Sequence, residues 1–153
     1  MHQVRSNSRI IRFAAGLLLS LSSGAMAKEV VWQGVVRTVT KGIQLKAVCY
    51  ETPSFDTPKA QCFFSFVNES DSSVKEVSIS LVYWSSAKKM DGAPIYTTHP
   101  IPAGAEGKAN KECDVIAERF KLSQMLGVVR SIDGKVIPDF HKRHDAAVMG
   151  VRG

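Results

Sequence analysis

Short catalytic signatures are missing from this 153-residue chain. It has no Gly-x-Ser-x-Gly, no His-Glu-x-x-His and no phosphate-binding glycine loop. The local geometries that present a serine nucleophile, a zinc-binding histidine pair or a nucleotide phosphate are therefore not signalled. No Cys-x-x-Cys occurs, which argues against dithiol redox chemistry. The acidic residues stand singly among polar or basic neighbours, so no carboxylate pair announces acid–base work. Internal repeats and low-complexity tracts are absent. The one marked N-terminal apolar run, Phe13 to Leu21, is shorter than the roughly 20 residues that cross a bilayer. These absences point away from an enzyme and from any cofactor, although constellations built from distant positions leave no local motif.

What the N-terminus does contain is an export signal. Arg5, Arg9 and Arg12 form a basic region ahead of the apolar run. Ala25-Met26-Ala27 then offers the small residues of a signal-peptidase site before Lys28. Residues 1–27 are expected to be a cleaved secretory signal of bacterial style, with no twin-arginine pair and no cysteine near the cut for a lipid anchor. The remaining 126 residues suffice for one domain. Cleavage also lowers the formal charge from +6 to +3, with 17 basic against 14 acidic residues. That balance gives no reason to expect nucleic acid as a partner. Localisation is expected to be periplasmic or secreted, without a stable membrane anchor.

The mature chain alternates with the two-residue period of half-buried strands. Strands are predicted over Val30–Val39, Ile43–Tyr50, Gln61–Val67 and Val74–Trp84, then Ile95–His99 and Gly107–Cys113. In the second, Ile43, Leu45, Ala47 and Cys49 share a face, and in the third Cys62, Phe64 and Phe66 do. Asp91-Gly92 reads as a tight turn. Asp114 reads as the cap of a short helix over Val115–Leu126, with a strand around Phe120 as the rival. Val128–Ile132 and Lys135–Phe140 flank Asp133-Gly134 as a terminal hairpin, and residues 141–153 are expected to be a flexible tail. About seven strands and at most one short helix place residues 28–140 in the mostly β class, a β-sandwich or small barrel.

Three cysteines in an oxidising compartment predict one disulfide and one spare thiol. Cys49–Cys62 is the preferred pair, closing a loop of about 14 residues for roughly 3 kcal/mol. Cys113 is then free, or is the partner of Cys62 in the rival pairing. Trp84, beside Tyr83, sits in the polar phase of its strand and is a candidate protein-binding anchor. His141-x-x-His144, flanked by Asp139 and Asp145, is a weak candidate for metal and lies in the expected tail. No metal is expected.

The run Phe64-Ser65-Phe66-Val67-Asn68-Glu69-Ser70, the strand from Val74, Asp91-Gly92 and Ile101-Pro102-Ala103-Gly104 resemble the middle of immunoglobulin-like and fibronectin-III-like domains. Among small exported bacterial proteins of that fold, the chain is similar to the interleukin-receptor-mimic family. The resemblance implies a secreted, strand-swapped homodimer that binds host cytokines, a virulence role. The expected function is therefore binding of a protein partner by an exported, non-enzymatic β-sandwich. A periplasmic chaperone or assembly accessory, and a small hydrolase or hydrolase inhibitor, are the alternatives.

Overall fold

The computed structural model describes residues 28–52, 58–85, 90–110 and 113–152. The expected signal segment, residues 1–27, lies outside them. In chain order the strands are β1 (Val30–Thr40), β2 (Ile43–Thr52), β3 (Lys59–Asn68), β4 (Val77–Trp84), β5 (Met90–Tyr96), β6 (Glu106–Lys108), β7 (Val115–Glu118), β8 (Leu126–Ile132) and β9 (Lys135–Val136). A 3-10 turn, Arg119–Gln124, precedes β8, and a helix α1, Phe140–Arg152, ends the described chain.

The strands form two antiparallel sheets. Sheet I runs β1-β2-β3, and the far edge of β3 is shared by β6 and β7. Sheet II runs β5-β4-β8-β9. The β2–β3 ladder keeps its register over its whole length, from Ile43 opposite Asn68 to Thr52 opposite Lys59. Strict alternation explains this, because a one-residue slip would turn Leu45, Ala47, Cys49, Phe64 and Phe66 out to water. These residues pack against Val77, Ile79, Leu81 and Ile95 of sheet II in one core. The described residues are thus mostly β, with two sheets stacked as a sandwich and one α-helix.

Polar side chains complete the joins between the layers. Asn110, 3% exposed, accepts the Tyr96 N–H at 3.1 Å and donates to the Pro94 carbonyl at 3.3 Å. It thereby ties β5 of sheet II to the β6–β7 segment of sheet I. Within sheet II, the Thr97 hydroxyl after β5 accepts the Val77 N–H of β4 at 3.1 Å. Asp133 accepts the N–H groups of Lys75 and Glu76 at 2.8 and 3.3 Å, holding the β8–β9 turn to the start of β4.

Four local expectations are corrected. Asp91-Gly92 does not make a turn: both residues lie within β5, opposite Tyr83 and Val82. Pairing along β4, with Ala93 and Ile95 opposite Leu81 and Ile79, outweighs the local turn preference. Residues 115–126 are not one helix: only Arg119–Gln124 is helical, as a 3-10 turn. Val115 and Ala117 alternate inward as β7 against β3, and the 3-10 turn follows. The proposed terminal hairpin shrinks to the short β8–β9 pairing, and Phe140 belongs to α1 instead. The expected flexible tail is that same helix. It packs on β4, β5 and β8, with Phe140, His144, Ala147 and Val148 half-buried at helical spacing. Val82 and Val128 alternate onto this outer face of sheet II and are still buried. An apolar surface waiting on the sheet therefore orders a segment whose own pattern is weak.

Candidate functional site

The outer face of sheet I carries a different pattern. Alternation sends Val30 and Val35 of β1, Val48 and Tyr50 of β2, Phe63 of β3 and Ile116 of β7 away from the core. The register places Val30, Tyr50, Gln61 and Ile116 in one row across the sheet, and Gln33, Val48 and Phe63 in the next. Val35, Lys46, Ser65 and Lys108 form the row beyond. Val30, Val35, Phe63 and Ile116 are 44, 46, 40 and 37% exposed. Tyr50 and Phe63 meet edge to face at 5.9 Å, diagonal neighbours on adjacent strands.

A break in the sheet deepens this face. β7 pairs with β3 as far as Cys62, and β6 resumes the pairing at Ser65. Phe63 and Phe64 fall in the gap, where the Phe64 carbonyl accepts the Ala109 N–H at 3.4 Å. The gap opens a cleft of ≈ 580 Å³ floored by Val48, Tyr50 and Phe63 and rimmed by Ser65, Glu106, Lys108 and Asp114. An apolar floor with a sparse polar rim is the anatomy of a recognition surface. Beyond the last apolar row, Arg119 and Glu51 form an ion pair at 2.8 Å, both partly exposed. In that setting it contributes little stability.

Cys113 lines the same cleft but is buried, and it is a free thiol. Burial and then the neighbouring Asp114 carboxylate push its pKa from 9.0 up to about 11. The unfolded thiol ionises near pH 9 while the folded thiol keeps its proton, so the unfolded chain binds fewer protons in that window. Stability is therefore expected to fall as pH rises from about 9 towards about 11. Urea denaturation of wild type and Cys113→Ala across that range checks this: the variant should lose part of the slope.

The disulfide joins Cys49 to Cys62, directly opposed residues of β2 and β3. The other predicted site residues lie on β4 and α1. Tyr83 packs inward against the core. Trp84 lies in the opposite phase, with the Lys121 ammonium 4.5 Å from its ring centroid. Lys121 belongs to the 3-10 turn. His141 and His144 lie on α1, both against the Phe140 ring, at 5.4 and 5.7 Å. They border a cleft that also holds Arg130, Ser78 and Ser80. Among the described residues no three His, Cys, Asp or Glu side chains gather as a metal site. No described helix is long and apolar enough to cross a membrane.

No protein-family model, curated protein or solved structure matches this chain. Function has to be sought in the surface itself. There, sequence reasoning missed Phe63, Val48, Tyr50 and Ile116. Phe63 carried a usable signal: placing Cys62, Phe64 and Phe66 inward leaves it apolar in the outward phase, as Trp84 is in β4.

Proposed function

We propose that this chain is an exported, non-enzymatic, immunoglobulin-like β-sandwich that binds another protein through the outer face of sheet I. The observation that carries this reading is the apolar stripe of Val30, Val48, Tyr50, Phe63 and Ile116 across four strand positions. Contiguous exposed apolar surface with aromatic residues at its centre is what protein partners cover. Strand addition at β1 is the weaker mode. β1 lies at a sheet edge, but its ladder with β2 is irregular at three places within 11 residues. Such irregularities twist an edge away from regular pairing.

The immunoglobulin-like assignment rests on strand order. Setting β1 aside as an extra N-terminal strand, β2-β3-β7 follows the A-B-E order of that fold, and β4-β8-β9 follows C-F-G. β5 lies beside β4 where a C′ strand lies beside C. Export is supported by the tripartite segment before Lys28 and by the Cys49–Cys62 disulfide, which suits an oxidising compartment.

Immobilised mature chain, residues 28–153, can be compared with its Phe63→Glu variant for capture from envelope extract and culture supernatant. Phe63 faces solvent, so the variant is expected to keep its thermal midpoint within about 2 °C, the scale of a surface change. A protein retained by wild type and lost on Phe63→Glu is the expected result. Identical capture by both chains would refute the proposal.

A further inference from the structure

The cover on sheet II is not a flush one. α1 lies across β4, β5 and β8, but a cleft of ≈ 420 Å³ remains between its Phe140, His141 and His144 and the strands. Arg130 of β8 completes its basic lining, and Ser78 and Ser80 of β4 line its floor. Among the described residues no carboxylate lines it. We propose that this cleft binds the phosphate group of a small soluble phosphate monoester, at a site separate from the apolar face of sheet I.

The backbone builds the cleft from two sides. The β4–β8 ladder shifts register there: Ser78 pairs with Ser131 and Ile79 with Val129, which leaves Arg130 as the extra residue of a bulge. A bulge re-aims a side chain. Here the exposed Arg130 lines the same cleft as the two serines, its guanidinium carbon 5.9 Å from the centroid of the Phe140 ring. On the other flank, β5 sets Pro94 opposite Ser80 and Gly92 opposite Val82. Both are small, so they leave room between β5 and α1. A Cβ on Gly92 would meet nothing closer than the Leu81 carbonyl at 3.8 Å.

The donor set selects the ligand. Arg130 has no carboxylate partner among the described residues. Its guanidinium, the two hydroxyls and the two imidazoles offer N–H and O–H groups from two strands and a helix. Donors from three elements are not coplanar. They suit the three terminal oxygens of a tetrahedral phosphate better than a flat carboxylate. A metal cation would meet the guanidinium charge at the same place. The volume falls in the roughly 300–1,000 Å³ range of small-molecule sites and exceeds a bare anion, so the phosphate carries an organic group. The Phe140 ring and Pro94 give that group apolar surface. The adjoining cleft, which shares Arg130 and His141, adds Lys142 and the carboxylate of Asp139, so the field at the mouth stays positive.

Calorimetry of the mature chain with phenyl phosphate, inorganic phosphate and benzoate tests this at low salt. Phenyl phosphate should bind with a Kd of about 0.1–1 mM, and the other two about 5-fold or more weaker. Arg130→Gln should weaken phenyl phosphate about 10-fold, the loss of a charge-assisted hydrogen bond. Gly92→Leu keeps every charge and should weaken it as much by filling the cleft. Circular dichroism confirms the fold of both variants. Proton NMR of wild type reads the site without a substitution. Phenyl phosphate should shift the ring protons of His141 and His144 and leave those of His99, which hydrogen-bonds Thr98 outside the cleft. No binding at about 5 mM, or binding indifferent to Arg130→Gln or to Gly92→Leu, would overturn the proposal. Benzoate binding as tightly as phenyl phosphate, or equal shifts at all three histidines, would also overturn it. Phosphatidic acid vesicles that hold the chain through Arg130 while phenyl phosphate does not bind would replace the soluble ligand by a membrane phosphate.

Discussion

Replacing Asn68 by alanine is expected to destabilise the domain by about 3 kcal/mol, at roughly 1 kcal/mol net for each of the three bonds its amide nitrogen makes, the Ser70 donors being able to turn to water. Asn68 ends β3 and is fully buried. Its amide nitrogen donates to the carbonyls of Ser72 at 2.9 Å, Ile101 at 3.1 Å and Pro102 at 3.2 Å. Its oxygen accepts the Ser70 N–H at 3.0 Å and the Ser70 hydroxyl at 2.6 Å. One side chain therefore shapes the turn after β3 and fastens it to the segment that leads into β6. The three carbonyls keep a second donor each: Ser70 hydroxyl, Val74 N–H and Ala105 N–H. The loss is thus mainly of bonds and packing, and the lower end of the orphaned-group range applies.

Asn68→Asp should be worse than alanine at pH 7. It replaces the donor by a buried carboxylate facing three carbonyl oxygens. Urea denaturation followed by circular dichroism measures both variants. A change below about 1 kcal/mol for either would mean that water replaces this cluster without cost. The same burial bears on Asn68-Glu69-Ser70 as a glycosylation acceptor. A side chain buried with five partners is not presented to a transferase in the folded protein.

Reduction of the Cys49–Cys62 disulfide has the second large expected effect. The bond closes a sequence separation of 13 residues. Constraint of the unfolded chain at that length contributes about 3 kcal/mol. Against a total of about 5–15 kcal/mol for a small domain, that is a substantial share. Both cysteines are fully buried on the inward faces of β2 and β3, so alanine at both positions adds a packing loss. The urea midpoint should drop by about 1–3 M on reduction, taking a slope of about 1–3 kcal/mol per M. The double alanine variant should fall further than the reduced wild type. A non-reduced digest should yield the Cys49 and Cys62 peptides as one linked species, with Cys113 unlinked. Coincident unfolding curves for the oxidised and reduced protein would show that the bond does not stabilise the fold.

Legibility in the sequence followed the range of the interaction. β2, β3 and the inward face of β4 could be read directly, because alternation is a property of neighbouring residues along one strand. That alternation put Cys49 and Cys62 on inward faces, and their opposition in the ladder makes the preferred disulfide geometrically direct. The misreadings came where a distant neighbour overrides a local preference. Asp91-Gly92 favours a turn in isolation, but β4 draws it into a strand. The apolar residues from Val115 to Leu126 suit a helix no better than a strand, and the free edge of β3 decides between them.

The candidate site divides in the same way. The outward phase of Phe63 and Tyr50 is present in the sequence. Their meeting at 5.9 Å depends on the β2–β3 register, and the cleft beside them depends on β6 and β7 sharing one edge. By itself, then, the chain determined β2, β3, the inward face of β4 and its candidate disulfide, since these follow from side-chain alternation and thiol chemistry. Only the tertiary structure decided that one outer face is covered by α1 while the other presents an apolar stripe. Exposure is set by what packs on a surface, and the residues that pack there lie far away along the chain.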